Sequence, residues 1–208
     1  MNALDDDFQR LLDQAAGFHG HLCAGQALGV RMAMAGLREL AIDSPRGRQG
    51  RDLIIFVECD RCPTDAIIAV TGRTPGKRSI KMMDYGKMAA TFFDAHTGNA
   101  VRVSVRADSD ERIRRVAQDC GPRSNEKEAR LAALKNIAEE DLLRVERVSV
   151  ALKPQDFPGE PLDSIICAKC GETVKDLRQV SREGQMLCRP CAQGSAYYTA
   201  HRDAFPCK

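Results

Sequence analysis

The sequence predicts an α+β protein: a mostly antiparallel sheet packed with helices, followed by a small C-terminal treble-clef zinc finger. Three observations predict it. Segments of helical and strand periodicity follow one another irregularly as far as residue 152. KPQDFPGEP (153–161) then sets three prolines in nine residues, the composition of a linker. Beyond it, Cys167-x-x-Cys170 and Cys188-x-x-Cys191 are separated by seventeen residues. The chain is thus read as a core domain over 1–152, a linker over 153–163 and a finger over 164–208.

The elements follow in order. Leu4, Phe8, Leu11, Leu12 and Ala15 recur at helical spacing, and Gly17 is read as the end of that helix. A second helix spans Ala24 to Leu40, with Gly25, Gly29, Ala33 and Gly36 forming a stripe of small residues. Each glycine costs about 1 kcal/mol of helix stability relative to alanine, so the stripe predicts close packing. DLIIFVEC (52–59) reads as a buried strand, and Pro63 suits the first turn of a helix that Thr71-Gly72 ends. Strands are expected over Ile80–Met83 and Met88–Phe93, then a hairpin at AHTGNA and a strand in which Val101, Val103 and Val105 alternate with polar residues. Residues 109–143 are charged and helix-prone, and Val148, Val150 and Leu152 alternate as a closing strand.

Bulk properties narrow the class. Of 208 residues, 43% are hydrophobic and 29% charged, and the formal net charge is +2, so no strong field points to nucleic acid or a membrane surface. The acidic start MNALDDDFQR is unlike a secretory leader, and no apolar run reaches the ~20 residues of a membrane span. A cytoplasmic location is expected. The nine cysteines are then read as thiolate chemistry rather than as a disulfide framework.

Cys167, Cys170, Cys188 and Cys191 have the spacing of four thiolates around a tetrahedral zinc ion, with disulfides or free thiols as the alternative. A module this small buries too little surface to fold alone, so the metal supplies its folding energy. Four sulfurs close the coordination sphere, which makes the site structural. Basic residues of the finger are interleaved with Glu172, Asp176 and Glu183, and aromatic platforms are lacking, so nucleic-acid binding is not expected.

In FHGHLCAG (18–25), two of the four histidines, His19 and His21, stand beside Cys23, just before the second helix. Cys62 stands before Pro63, at the start of another helix. Both thiols would lie where a helix dipole favours negative charge. In an extended segment His19 and His21 would share a face. Together His19, His21, Cys23 and Cys62 make a candidate N/S site for zinc, iron or another borderline metal, provided the two segments meet in space. Asp65, in the first turn after Cys62, is read either as a helix cap or as a functional carboxylate. Cys59 and Cys62 also have the spacing of a redox pair, at a strand end and a helix start. Cys120, Cys207, His96 and His201 are read as incidental. TGRTPGKRS (71–79) is read as a solvated basic turn, and DYGK (84–87) as either a cleft wall or a strand end.

FHGHLCAGQALGVRMA, CPTDAI followed by TG-x-T-x-GK (62–77), and DYGKMAATFF (84–93) resemble the FmdE family, over roughly residues 13 to 152. The family takes its name from one component of formylmethanofuran dehydrogenase, a molybdenum or tungsten enzyme. The resemblance implies an α+β core, a homodimer, an auxiliary treble-clef finger and a site at His19, His21, Cys23, Cys62 and Asp65. Two positions depart from the family's pattern. Cys59 stands where relatives commonly have a polar residue, and Arg73 where many have cysteine.

The leading expectation is a metal-binding subunit or accessory factor of a molybdenum or tungsten oxidoreductase. Cys23, Cys62 and one of the two histidines would be ligands, and Asp65 would orient a ligand or move a proton. One alternative is a stand-alone enzyme that uses Cys23 or Cys62 as a thiol catalyst or metal ligand. Another is a regulatory protein that docks through its finger.

Overall fold

The structure is a computed structural model that describes residues 3–120 and 125–199, with side chains from residue 7 onward. His201, Cys207 and the side chain of Leu4 lie outside the described residues. The fold is α+β and divides into two compact units between Leu152 and Lys153.

In the N-terminal unit, helices α1 (Ala3–His19) and α2 (Ala24–Glu39) precede strand β1 (Leu53–Val57) and helix α3 (Cys62–Thr71). Strands β2 (Ile80–Met82), β3 (Ala89–Asp94) and β4 (Ala100–Val105) follow, then helices α4 (Ser109–Asp119), α5 (Glu126–Asn136) and α6 (Glu139–Leu142), and strand β5 (Leu143–Val148). The sheet runs β2-β1-β3-β4-β5, with β1 and β2 parallel and every other pair antiparallel. Side chains alternate across β1, as strand geometry requires. Leu53, Ile55 and Val57 enter the main core, which α2 covers, while Ile54 joins Phe93 and Ala100 on the opposite face.

Two boundaries differ from the sequence-based expectation. Gly17 does not end α1. The helix continues to His19 and stops at Gly20, whose φ of 92° favours glycine. A glycine inside a helix lowers its stability without breaking it, and a second glycine three residues on supplies a better stop. An alanine Cβ at Gly17 would meet nothing within 4 Å, so Gly17→Ala is expected to stabilise the protein by about 0.5–1 kcal/mol in urea unfolding. The closing strand is Leu143–Val148 rather than the run through Leu152. Val150 and Leu152 lie beyond it and pack on the second face of the sheet. Alternation shows that a segment is extended, not that it is paired.

The small-residue stripe of α2 is explained by packing within the core. A Cβ on Gly25 would lie 2.7 Å from the Cys62 Cβ, one on Gly29 2.5 Å from the Pro63 carbonyl oxygen, and one on Gly36 2.3 Å from the Phe92 ring. The stripe therefore brings α2 onto the backbone of α3 and onto the Phe92 ring of β3. The same helix carries Arg31, which donates to the carbonyls of Leu134 (3.2 Å) and Ile137 (2.9 Å) and so satisfies the end of α5. Burial pushes the Arg31 guanidinium pKa down. Glu58, just past β1, accepts two hydrogen bonds from Arg102, at 2.7 and 2.8 Å, which hold its carboxyl below the usual range.

The C-terminal unit contains a short 3-10 turn (Pro154–Asp156), the hairpins β6 (Ser164–Ile166) with β7 (Thr173–Lys175) and β8 (Val180–Arg182) with β9 (Gln185–Leu187), and helix α7 (Arg189–Gln193). Its apolar centre is small: Cys167, Leu187 and Ala192, with Val174, Cys188 and Cys191 against them.

Candidate metal centre

Both cysteine groups singled out in the sequence converge. In the C-terminal unit, the four sulfurs of Cys167, Cys170, Cys188 and Cys191 lie within 4.8 Å of one another. The Cys170–Cys188 separation is 3.8 Å, which is about the edge of a tetrahedron with ~2.3 Å metal–sulfur bonds. Gly171, at φ 79°, lets the chain turn after the first knuckle. Cys188 caps α7 and Cys191 lies in its first turn. Backbone N–H groups of Cys170 and Cys188 lower the Cys167 thiol to about 6. The neighbouring Cys188 sulfur, followed by burial, pushes Cys191 up to about 12. Four thiols this close cannot all ionise unaided, and a cation removes the conflict.

The second group lies in the N-terminal unit, where α1, α2 and α3 meet. His19 is the last residue of α1, Cys23 caps α2 and Cys62 is the first residue of α3. One ligand atom from each lies within 4.8 Å of the others. Asp65, one turn into α3, accepts a hydrogen bond from His19 Nδ1 at 2.8 Å. In the neutral imidazole that bond places the proton on Nδ1 and leaves the Nε2 lone pair free. Nε2 is buried and has no hydrogen-bond partner, a state that ordinarily costs about 1–3 kcal/mol. A carboxylate on one ring nitrogen and an unpartnered second nitrogen beside two sulfurs is the donor arrangement of a metal-binding histidine. The residues present fit a borderline metal ion, with three protein ligands and a fourth position open.

His21 does not join the three. It lies beyond the end of α1, exposed, with its ring 4.6 Å from that of His19. The extended geometry that would present both rings alike is lost because His19 remains helical. Cys59 is likewise outside the group. It is buried, with its sulfur 4.0 Å from Thr64 Oγ1 and 3.9 Å from Met88 Sδ. The Cys62 thiol also departs from expectation. Burial, and then the adjacent Cys23 sulfur, push its pKa up despite the helix start.

Sequence reasoning missed two features. Gln26, fully buried on α2, donates to the Cys62 carbonyl at 2.7 Å and fixes the start of α3. A glutamine at a core position of an apolar helix was the available signal. The other is a cavity of about 360 Å3 with Cys62 in its wall. Arg73, expected in a solvated turn, instead reaches back to the Gly50 carbonyl at 2.9 Å and ties two loops together. In DYGK, Tyr85 is exposed with Lys87 5.9 Å above its ring, while the Tyr85 and Lys87 backbone N–H groups bond to the Glu58 carbonyl. His96 is exposed, and Cys120 touches the Asn136 amide.

Fold and sites together define a two-unit α+β protein with cysteine clusters able to bind metal. The chain belongs to the FmdE family: the family described as "FmdE, Molybdenum formylmethanofuran dehydrogenase operon" matches residues 18–150. It is 32% identical over 211 residues to a probable S-adenosyl-L-methionine-binding protein of Archaeoglobus fulgidus, a match covering 93% of this chain and 55% of that protein. The chain thus spans about half the length of that relative. The crystal structure of a tungsten formylmethanofuran dehydrogenase FmdE-like protein from Syntrophus aciditrophicus shares the fold, with a TM-score of 0.58 and 22% identity over 92% of this chain and 95% of that one.

Proposed function

We propose that this FmdE-family protein holds a borderline metal ion on His19, Cys23 and Cys62 and a structural zinc ion on Cys167, Cys170, Cys188 and Cys191. It serves as a homodimeric cytoplasmic subunit or accessory factor of a molybdenum or tungsten oxidoreductase of the formylmethanofuran dehydrogenase type. One observation carries the metal site: the buried, unpartnered Nε2 of His19, beside two thiols and with Nδ1 held by Asp65. The family's description supports the oxidoreductase association. Among the described residues no helix is long and apolar enough to cross a membrane.

In this reading Asp65 is a positioning residue. It keeps the His19 proton on Nδ1 and aims Nε2 at the ion. Removing its charge with Asp65→Asn is expected to weaken the core site about 10- to 100-fold, measured by competition with a chromogenic chelator, while the finger is unaffected. Metal content per chain tests the reading itself. Two ions per wild-type chain, falling to one in a Cys23→Ser/Cys62→Ser variant, are expected. Equal content in the two proteins would refute a core metal site.

The cavity favours a second reading, a stand-alone metal-dependent enzyme acting on a small molecule. It opens beside Cys62 and has the volume of a ligand site.

A further inference from the structure

The cavity beside Cys62 is not needed to hold a metal. Its volume of about 360 Å3 falls within the range of about 300–1,000 Å3 typical of small-molecule sites. Its wall is mainly hydrocarbon: Leu28 from α2, Pro63 from α3, Met88 and Val105 from the sheet side, Ile113 from α4 and Leu134 from α5. The charged side chains on it are mostly spoken for or solvated. Arg130 donates to Asp110 at 2.6 Å, and Arg61, largely exposed, lies 3.9 Å from Asp60. Ser109 is buried in the same wall. Cys62 belongs both to this wall and to the His19–Cys23–Cys62 group. Gly25, another wall residue, packs directly against it, since a Cβ there would lie 2.7 Å from the Cys62 Cβ and 3.4 Å from its sulfur.

These features define the ligand chemically. A hydrocarbon chamber selects an apolar body. Its charged side chains either pair with each other or face solvent, so none is set aside for a carboxylate or phosphate inside the chamber. A metal held by one nitrogen and two sulfurs favours a soft donor in its open position. We propose that the cavity receives a small aliphatic or aromatic thiol, whose sulfur takes the fourth position on the metal while its hydrocarbon body fills the chamber. This rests on the metal-site reading above. The thiol gives up its proton to solvent on binding, and nothing is oxidised or reduced.

The test uses full-length protein loaded with cobalt(II), whose sulfur-to-metal charge-transfer bands report thiol coordination. The finger contributes a constant background, since its four sulfurs leave no place for a fifth. Pentane-1-thiol and 2-mercaptoethanol are titrated separately. The extra buried methylenes are expected to make pentane-1-thiol about 30- to 100-fold tighter, with one thiol bound per chain. Val105→Phe and Leu28→Phe fill the cavity from different sides and leave the ligands untouched. Each is expected to cut the preference to below about fivefold while core-site cobalt stays at one per chain. Equal affinity for the two thiols in cobalt-loaded wild type overturns the thiol chamber alone. So does an undiminished preference in either folded variant. Cobalt confined to the finger overturns the metal site, and this proposal with it.

Discussion

Cys188→Ser is expected to unfold the C-terminal unit and leave the N-terminal unit intact. The unit has little else to hold it. Its hairpins pair three residues with three, too short to be stable alone, and half of the residues in its apolar centre are the cysteines themselves. Cys188 has two roles: its sulfur is 3.8 Å from that of Cys170, and its N–H donates to Cys167 Sγ at 3.3 Å. Structural zinc binding contributes about 10–16 kcal/mol in comparable small modules, so with the zinc ion proposed above a serine in place of one thiolate is expected to remove most of the folding energy. Limited proteolysis is expected to cut the variant freely after Lys153, with the thermal transition of the N-terminal unit unchanged. A chelator is expected to do the same to wild type. A C-terminal unit that resists protease under both treatments would show that packing, not metal, holds it.

Gly29→Val is expected to damage stability and the core site together. The first added carbon would fall 2.5 Å from the Pro63 carbonyl oxygen and 2.7 Å from both the Pro63 Cα and the Ala66 Cβ. Two of these atoms belong to the α3 backbone, so no side-chain rotation relieves the clash and α2 and α3 must separate. Overpacking of this kind costs about 3 kcal/mol, which lowers the melting temperature of a chain this size by roughly 6–12 °C. Because α3 begins at Cys62 while Cys23 caps α2, the same separation draws the two sulfurs apart. Core metal content is expected to fall while finger metal stays constant. The opposite expectation for Gly17→Ala, where a Cβ meets open space, makes the pair a test of packing rather than of glycine as such. A Gly29→Val protein as stable as wild type would contradict the helix contact.

The parts of the site legible in the sequence were those set by local rules. Two C-x-x-C knuckles fix their own geometry. Pro63 marks the start of α3, and with it the place of Cys62 at a helix terminus. The stripe of small residues on α2 announced a close approach, although the sequence does not say what approaches. What stayed hidden depends on residues far apart in the chain. Forty-six positions separate His19 from Asp65, and only the crossing of α1 and α3 joins them. Whether His19 or His21 reaches the cysteines turned on one glycine, since α1 runs through Gly17 and ends at Gly20. The raised pKa of Cys62 likewise reflects burial and a neighbour from another helix, which outweigh the helix terminus that the sequence reveals. The cavity has no local signature, because its wall is drawn from helices α2, α3, α4 and α5 and from the sheet.

Anomalous diffraction from crystals of protein grown with zinc, recorded on both sides of the zinc absorption edge, would locate the metal directly. Two peaks per chain are expected. One lies at the centre of Cys167, Cys170, Cys188 and Cys191, and the other within about 2.0–2.3 Å of His19 Nε2 and the sulfurs of Cys23 and Cys62. A finger peak alone, with His19 Nε2 bonded instead to water or to protein, would contradict the core metal centre.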